Sequence, residues 1–249
     1  MIFIRYRFLL LIMELEILYR DTDLIAINKP HGLLVHKTRL ANDTEEFALQ
    51  ILRDQVGCHV YPAHRIDRKT GGVLLFAFNQ DVLPAVRTLF DARKISKTYL
   101  AIVRGYTDDS GLIDYPLRNE NGKVQDAVTD YETIERVEVA MSLGRYPTQR
   151  YSLVKVRPHT GRMHQIRKHF AHILHPIIGD RPHGCNKQNK YFKEQWNMTT
   201  MLLHAYSLEF THPVSDESVF IQAQPGYDFM RMSRLLGFTY KAGDRFLLS

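Results

Sequence analysis

The chain has 249 residues, which is long enough to bury a substantial core in one large domain or two small ones. Hydrophobic residues make up 45% and charged residues 24%, and the two cysteines, Cys58 and Cys185, argue against a disulfide framework and predict a cytoplasmic protein. The net charge of +6 favours a polyanionic partner such as nucleic acid.

The apolar stretch that opens the chain ends at Ile12, is too short to span a bilayer and is followed by no small-residue cleavage site. A more regular pattern begins after Met13. Residues 1–13 therefore form an N-terminal extension of doubtful status, either a short added strand or a mis-assigned upstream start. No repeat, low-complexity segment or linker divides the rest, so residues 14–249 are expected to form a single domain.

The order of apolar and polar residues predicts a mixture of short strands and helices. In chain order we expect strands over Glu16–Tyr19 and Leu24–Ile27, a helix from an acidic capping pattern at Asp43 and Glu46 to Gly57, a buried strand over Val73–Phe78, a helix over Val82–Ala92, a strand over Lys97–Val103, a meander over Gly111–Arg136, a strand over Arg150–Arg157, a helix over Arg162–Leu174, an irregular loop over His183–Trp196, a strand over Met201–Phe210 and a helix over Tyr227–Leu236. Because strands and helices do not alternate regularly, the pattern indicates the α+β class with a largely antiparallel sheet flanked by helices.

The stretch His64–Gly72, just before the predicted buried strand, contains the first candidate site residue. Asp67 is an isolated acid whose cationic neighbours are Arg65, Arg68 and Lys69. Opposite charges within about 4–6 Å favour the ionised form of a carboxylate. A carboxylate held ionised at the edge of a rigid strand is suited to act as a nucleophile, whereas the alternative is a solvated surface aspartate. The stretch alone leaves both interpretations open.

Residues 139–179 contain no acidic residue, although they include seven Arg or Lys and five His. A solvated surface normally mixes both signs of charge. The predicted helix over Arg162–Leu174 presents His164, Arg167 and Lys168 on one side and an apolar stripe on the other. The stripe consists of Met163, Ile166, Phe170, Ile173 and Leu174. A helix packed on one side and cationic on the other predicts a phosphate- or RNA-binding surface.

The histidines of this segment raise the alternative of a metal site, because four of them lie close together in sequence. These are His164, His169, His172 and His175. The cationic residues between them would repel a divalent ion, no cysteine or carboxylate joins the group, and the His-Glu-x-x-His pattern of metalloproteases is missing. We therefore expect no metal ion here.

Five motifs, in the right order, resemble those of the RluA family of RNA pseudouridine synthases. They are Asn28–His36, His64–Leu75, Lys97–Tyr99, Thr160–His169 with the following Pro176–Asp180, and Leu202–Ala205. One departure is Gly71, where the family usually has serine. This departure leaves open the geometry of the turn that follows Asp67.

The resemblance implies the pseudouridine synthase catalytic fold, with a central RNA-binding cleft, and an isomerase that needs no cofactor. It implies that Asp67 is the catalytic aspartate and that Arg167 pairs with it in a bidentate manner and keeps it charged. Tyr99 is expected to stack on the target uracil and to assist proton removal at C5. The target uridine is expected to flip out of the folded RNA, with Arg65 filling the space that the base leaves.

The resemblance also implies an RNA substrate, held at its phosphates by cationic side chains. The expected RNA-binding residues are Lys29, Arg65, Arg68, Arg162, His164 and Lys168. Within the family, the residues around Tyr146, His172 and His183 resemble a subgroup that modifies uridine 65 of tRNA. We expect a monomer with no membrane partner. The alternatives are a synthase acting on ribosomal RNA, a non-catalytic RNA-binding protein, and a glycosidic hydrolase that releases free base.

Overall fold

The computed structural model describes residues 14–36 and 46–240 of the chain. The expected N-terminal extension, residues 1–13, and Asp43 of the predicted helix cap lie outside the described residues. Within these two ranges, no helix is both long and apolar enough to cross a membrane.

The strands and helices follow one another irregularly, as the sequence predicts. The described strands are β1 (Glu16–Arg20), β2 (Leu24–Lys29), β3 (Tyr61–Pro62), β4 (Gly71–Ala77), β5 (Ser96–Arg104), β6 (Ser110–Asp114), β7 (Leu117–Arg118), β8 (Val124–Gln125), β9 (Val128–Val139), β10 (Gln149–Pro158), β11 (Leu203–Thr211) and β12 (Ser218–Gln222). The described helices are α1 (Ala48–Val56), α2 (Val82–Asp91), α3 (Gln165–His172), α4 (Asn186–Trp196) and α5 (Tyr227–Leu236).

Ten strands form one mixed sheet, in the order β1-β2-β4-β11-β5-β10-β9-β6. Strand β12 is added beside β11, β3 is added beside β4, and β7 and β8 form a separate hairpin. The pairing of β4 with β11 is parallel, whereas the other strand pairs of this sheet are antiparallel. The predicted α+β class with a largely antiparallel sheet is therefore confirmed.

Alternate side chains of each strand point to opposite faces of the sheet, and helices cover both faces. On one face, α1 packs against Phe76 of β4, and α3 packs against Val154 of β10. On the other face, α2 packs against Leu75 of β4, while α4 and α5 pack around Tyr151 of β10. We call the apolar clusters beneath these two helices the α1 cluster and the α3 cluster, and Tyr99 of β5 packs against both. The α1–α3 face therefore carries the candidate site.

Most of the predicted elements are present, and the last helix has the predicted bounds. Helix α1 ends as predicted at Gly57, which has a left-handed φ of 70°. Its predicted start is wrong, because Phe47 is the N-cap residue, makes no side-chain capping bond and has an extended backbone. The first residues of the helix are instead held by backbone bonds, from the Ala48 N–H to the Leu34 carbonyl oxygen and from the Leu49 N–H to the Val35 carbonyl oxygen.

Helix α3 is shorter at both ends than the predicted helix over Arg162–Leu174. It begins after His164, whose left-handed φ of 57° interrupts the helix, and ends before Leu174, whose φ is 65°. Met163 and Leu174 therefore leave the predicted apolar stripe and are exposed. Pro176 contributes to the early end, because a proline disfavours helical geometry in the residue before it.

The prediction of an irregular loop over His183–Trp196 is wrong, because most of this segment forms α4. The helix buries Phe192 completely and Gln188 almost completely, and Trp196 packs edge-on against Phe192. So few apolar positions in a polar sequence give a weak helical signal. Packing on the sheet, rather than local propensity, stabilises such a helix.

The close approach of the paired strands β4 and β11 requires a glycine at one position. Gly72 has a φ of 112°, and a Cβ atom there would lie 2.1 Å from the carbonyl oxygen of Ala205. Gly71 is different, because its Cβ would meet no atom closer than the Lys29 carbonyl oxygen, at 3.3 Å. The site of Gly71 therefore accommodates the serine that the resembling family usually has, with only a small adjustment.

We predict that Gly72→Ala destabilises the protein by about 3 kcal/mol or more, because it combines a left-handed φ with a backbone clash. Gly71→Ser is the matched control and should change the free energy of unfolding by less than about 1 kcal/mol. Urea unfolding of both variants measures the two effects. Equal stabilities of the two variants would contradict the close approach of β4 and β11.

Candidate active site

Asp67 lies in the short connection between β3 and β4, directly ahead of a tight turn. The Thr70 N–H closes this turn by donating to the Asp67 carbonyl oxygen at 3.0 Å. The side chain of Ile66 is buried in the α1 cluster, whereas Arg65 is exposed. The Asp67 side chain is 28% exposed, so it is neither fully solvated nor closed off from a ligand. The buried neighbour thus fixes the backbone that presents the carboxylate.

Arg167, on α3, joins Asp67 to a second carboxylate. Its Nη1 donates to Oδ2 of Asp67 at 2.8 Å. Its Nε and Nη2 donate to the two oxygens of Asp180, each at 2.8 Å. The predicted contact between Arg167 and Asp67 is therefore present, but the bidentate pairing is made with Asp180, and Asp67 receives a single bond.

The guanidinium group is buried, and so is its bidentate partner. The side chains of Arg167 and Asp180 are 5% and 1% exposed. Burial by itself lowers the pKa of Arg167, but hydrogen bonds and charge interactions with Asp180 and Asp67 outweigh it, and the pKa is raised. The cation therefore stays charged, and its direction is set by the fork-shaped contact with Asp180.

Tyr99 contributes an aromatic ring from β5, on the same face of the sheet as α3. Its partners across the strands are Val156 of β10 and Ala205 of β11. Burial raises the pKa of Tyr99, and the negative charge of Asp67 raises it further. The hydroxyl is therefore protonated at neutral pH.

His164 lies at the start of α3 and also faces Asp67. Its Nε2 is 3.8 Å from Oδ2 of Asp67, the same oxygen that Arg167 contacts. Its Nδ1 is 3.1 Å from Nε2 of His183. A left-handed backbone at a residue with a side chain costs about 1–3 kcal/mol, and such conformations cluster at functional sites. His164, which was expected to bind RNA, is thus a neighbour of the carboxylate.

Lys29 does not fit the expected role of holding a phosphate, because its side chain is fully buried. Its Nζ donates to the carbonyl oxygens of Pro30 at 2.9 Å, Leu33 at 2.8 Å and Arg68 at 3.2 Å. Burial lowers the pKa of Lys29 to about 7, although the charge of Asp67 opposes this. Lys29 therefore holds the loop after β2 against the Asp67 turn.

Arg68 reinforces the same contact between the two loops. Its Nε donates to the Gly32 carbonyl oxygen at 2.9 Å, and the Gly32 N–H donates to the Arg68 carbonyl oxygen at 2.8 Å. The side chain is half-buried. Part of the guanidinium expected to bind RNA is thus engaged within the protein.

The remaining cations lie nearer the surface around α3. Nε of Arg162 donates to the Asp126 carbonyl oxygen at 3.0 Å, and Nζ of Lys168 donates to the Arg118 carbonyl oxygen at 3.3 Å. Arg65 is exposed, with no side-chain hydrogen bond to another described residue. These three side chains keep N–H groups available, because an arginine has five donors and a lysine has three.

The four histidines weighed as metal ligands have separate partners. His169 bonds to the Tyr115 carbonyl oxygen at 3.0 Å, His172 stacks on the Tyr115 ring, and His175 bonds to the Arg104 carbonyl oxygen at 2.8 Å. Together with the His164–His183 contact, each of the four rings therefore has a partner of its own. The four do not converge on a common point in the described structure.

A different group in the described residues, Asp21, Asp23 and His212, brings three possible ligand atoms within 4.8 Å of one another. Nδ1 of His212 accepts the N–H groups of Val214 and Ser215, each at 3.2 Å. A neutral ring in this position must therefore carry its proton on Nε2, the atom that faces Asp21. That atom lies 3.2 Å from Oδ2 of Asp21, and a ring nitrogen that carries a proton has no lone pair to offer a metal ion.

The geometry can be compared with known proteins. The family model described as RNA pseudouridylate synthase matches residues 23–172. The chain belongs to the RNA pseudouridine synthase family. It is therefore an isomerase that acts on uridine in RNA, and its α+β architecture is that of pseudouridine synthase domains.

Two curated relatives named tRNA pseudouridine synthase C cover most of the chain. The protein from Vibrio parahaemolyticus is 45% identical over 84% of this chain and 90% of its own length. The protein from Haemophilus ducreyi is 47% identical over 85% of this chain and 91% of its own length. The solved structure titled Human RNA Pseudouridylate Synthase Domain Containing 1 has a TM-score of 0.69 and 22% identity, and covers 94% of this chain and 98% of that chain.

Sequence reasoning on this pseudouridine synthase missed two residues of the site, Asp180 and His183. Asp180 was included in a motif without a role, and His183 served only to assign a subgroup. Asp180 is the first acid after the acid-free residues 139–179. That position was the available signal, because a buried arginine needs acceptors for more donors than one carboxylate satisfies. No comparable signal marked His183.

His64, at the start of the Asp67 stretch, makes the fold of this site sensitive to acid. Its Nε2 accepts the Leu75 N–H at 3.1 Å. Burial, followed by the charge of Lys97, lowers the pKa of His64 to about 3. In the unfolded chain the pKa is about 6.5. The unfolded state therefore binds more protons between these values, and the contribution of His64 to stability is lost as the pH falls from about 6.5 towards 3.

We predict that His64→Gln reduces the fall in unfolding free energy between about pH 7 and pH 5, because the Gln carbonyl accepts the Leu75 N–H without titrating. Urea unfolding at a series of pH values measures the slope. His59→Gln is the control, since His59 is exposed. An unchanged slope in His64→Gln would show that His64 is not held neutral.

Proposed function

We propose that the chain converts uridine to pseudouridine in tRNA, with Asp67 as the catalytic residue and uridine 65 as the target. The observation that carries the assignment of Asp67 is its contact with Arg167, in which Nη1 and Oδ2 are 2.8 Å apart. This contact places a positive charge beside the carboxylate and fixes its direction. The choice of tRNA is supported by the names of the curated relatives, and the choice of position 65 rests on the subgroup resemblance.

The proposed reaction breaks the N1–C1′ glycosidic bond, rotates the uracil and rejoins it to the sugar through C5. It is an isomerisation without net redox change, so it requires no cofactor. Arg167 and His164 both face Oδ2 of Asp67, and no donor among the described residues bonds to Oδ1. In the proposal Oδ1 faces the nucleotide, and Asp67 acts at the sugar either by direct attack or by promoting glycal formation.

Tyr99 is proposed to stack on the target uracil. The ring packs against the clusters that contain Ile66, next to Asp67, and Ile166, next to Arg167. An aromatic face is a general platform for a base. The raised pKa of Tyr99 favours this stacking role over proton removal at C5, because removal of that proton by Tyr99 would require a phenolate. A uridine in folded RNA reaches this ring only after it flips out, at a cost of a few kcal/mol.

Arg65 is proposed to enter the space that the flipped base leaves. Its exposure, two residues before the carboxylate, supports this role. Arg162 and Lys168 are proposed to hold phosphates on either side of the site, with a smaller contribution from Arg68. Each phosphate neutralised adds roughly 0.7–0.9 to the slope of log affinity against log salt. We leave Lys29 out of this set, because it is fully buried.

We further propose that residues 14–249 form one catalytic domain that acts as a cytoplasmic monomer. The single sheet that runs from β1 to β6 supports the first part of this proposal. In this proposal the partner of the protein is RNA, and no membrane is involved.

We predict that Asp67→Asn lowers pseudouridine formation at least about a thousandfold and leaves tRNA affinity within about threefold, because the amide keeps the shape and loses the charge. Tritium release from unmodified tRNA labelled at C5 of uridine measures turnover, and filter binding measures affinity. Asp81→Asn, at an exposed aspartate, is the control. An active Asp67→Asn enzyme would remove the central assignment.

The same assay separates the alternative activities. Tritium release with the base retained in the RNA supports the synthase, and free uracil would indicate a glycosidic hydrolase. No reaction in any RNA would indicate a binding protein. A tRNA transcript with cytidine at position 65 should not react. Turnover of this transcript, or of a ribosomal RNA fragment alone, would overturn the proposed target.

We predict that Arg167→Lys lowers kcat about a hundredfold and destabilises the fold by about 2–4 kcal/mol, because one ammonium group cannot satisfy two carboxylates in fixed directions. Initial rates of tritium release measure kcat, and urea unfolding measures the free energy of unfolding. Arg181→Lys is the matched control, since Arg181 is exposed beside Asp180. A near-normal rate in Arg167→Lys would exclude the proposed role of the Asp67 contact.

A further inference from the structure

The loop that follows Asp180 returns to the catalytic carboxylate and fixes His183 beside it. The His183 N–H lies 3.4 Å from Oδ1 of Asp180, and a Cβ atom at Gly184 would lie 2.0 Å from the Asp180 carbonyl oxygen. The Asn189 side chain donates to that carbonyl oxygen at 2.7 Å and accepts the Gly179 N–H at 2.9 Å. The backbone that carries the His183 ring is therefore held by the same acid that orients Arg167.

The ring of His183 makes one polar contact in the described structure, and that contact leads to Asp67. Its Nε2 is 3.1 Å from Nδ1 of His164, and Nε2 of His164 is 3.8 Å from Oδ2 of Asp67. The two rings are nearly perpendicular, at 72°. The three side chains thus form a chain from the Asp180 loop to the carboxylate.

The position of each proton in this chain follows from the chemistry of the groups. An ionised carboxylate only accepts hydrogen bonds, so the favourable state of His164 carries its proton on Nε2, towards Asp67. A neutral imidazole has one N–H, and Nδ1 of His164 must then accept. His183 must therefore donate from Nε2, because a second lone pair at this contact would repel the first.

The charges around the two rings favour this neutral arrangement. The rings are partly buried, and burial is the first cause that lowers the pKa of His164 and of His183. The charged groups that act on them come from three segments, the turn before β4, helix α3 and the loop after it. They are Asp67, Arg167, Lys168 and Asp180. Two acids and two cations act on the rings, so the effects of these charges on the two pKa values nearly balance. Burial therefore sets the direction, and both pKa values are lowered.

We infer that His183 is a positioning residue, which holds His164 in the tautomer that directs an N–H at Oδ2 of Asp67. This inference rests on the proposed role of Asp67. Without His183, the proton of His164 moves freely to Nδ1, and the lone pair of Nε2 then faces the carboxylate. Oδ2 then loses its favourable electrostatic interaction with the N–H of His164, 3.8 Å away, and the orientation of the carboxylate is less well defined.

The first test compares two substitutions at His183. His183→Ala should lower kcat about tenfold, the effect of one hydrogen bond, and change KM for tRNA by less than about twofold. His183→Gln should restore kcat to within about threefold of the wild-type value, because its amide nitrogen lies about as far along the side chain as Nε2. His59→Ala, at an exposed histidine, is the control. Equal losses in the Ala and Gln variants would overturn the inference.

The second test asks whether His183 acts through His164. His164→Gln supplies an N–H that needs no tautomer control, so His183→Ala should have no further effect in the His164→Gln background. Multiplicative losses in the double variant would mean that His183 acts elsewhere, and would overturn the inference.

The third test reads the tautomer directly and separates this inference from the proposed function. Long-range nitrogen–proton NMR on the histidine-labelled full chain should detect His164 as the Nε2–H form in the wild type, and as a mixture in His183→Ala. A wild type that forms pseudouridine but has His164 in the Nδ1–H form, or unchanged by His183→Ala, would overturn the inference alone. A wild type without synthase activity would instead overturn the proposed function, whatever the tautomer.

Discussion

The candidate site depends on one buried guanidinium group. Arg167 is almost inaccessible to solvent, and a buried charge is tolerated only when its partners are close and well directed. Two carboxylates from distant segments meet this need, Asp67 ahead of β4 and Asp180 after α3. Removing either carboxylate leaves the cation undercompensated, which typically costs about 3–5 kcal/mol. The same interaction therefore holds two loops and a helix together and orients the acid that we propose to be catalytic.

The unequal exposure of the two carboxylates separates their roles. Asp180 is closed off from solvent and accepts hydrogen bonds from Nε and Nη2 of the arginine, so it anchors the cation. Asp67 accepts a single hydrogen bond from Nη1 on Oδ2 and keeps more than a quarter of its side chain exposed. His164 faces the same oxygen as Arg167, which concentrates the protein's donors on one side of the carboxylate. An acid that must act on a substrate needs this asymmetry, because an oxygen saturated with donors is a poor nucleophile.

The sequence predicted the sheet well and the ends of some helices poorly. In strands such as β4 and β5, the residues are apolar throughout or alternate between apolar and polar. Such a pattern can be recognised in the sequence without knowledge of the tertiary packing. Helix α4 was missed because its burial depends on Phe192 and on the polar Gln188, which no hydrophobic pattern reveals. Helix α3 was predicted too long because the left-handed backbone of His164 is set by the site and not by local propensity.

The same difference between local and long-range information explains the site. Asp67 was visible in sequence as an isolated acid among cations, and Arg167 as part of a segment without acids. Their contact joins residues 100 positions apart, and only the family resemblance predicted it. The bidentate partner Asp180 and the ring of His183 are fixed by backbone contacts in a loop, such as the close approach at Gly184. Residues placed by such contacts have no periodic pattern, and the structure is needed to find them.

The net positive charge of the chain overstates how many cations face the RNA. Lys29 is turned inward to three carbonyl oxygens, and Arg68 joins the same two loops, so both stabilise the Asp67 turn. Exposed side chains such as Arg65 and half-exposed ones such as Lys168 are the ones that can neutralise phosphates. Counterion release depends on contacts with phosphate and not on total charge. The salt dependence of RNA binding should therefore depend only on the outward-facing cations. The inward-facing ones stabilise the backbone turn that carries Asp67.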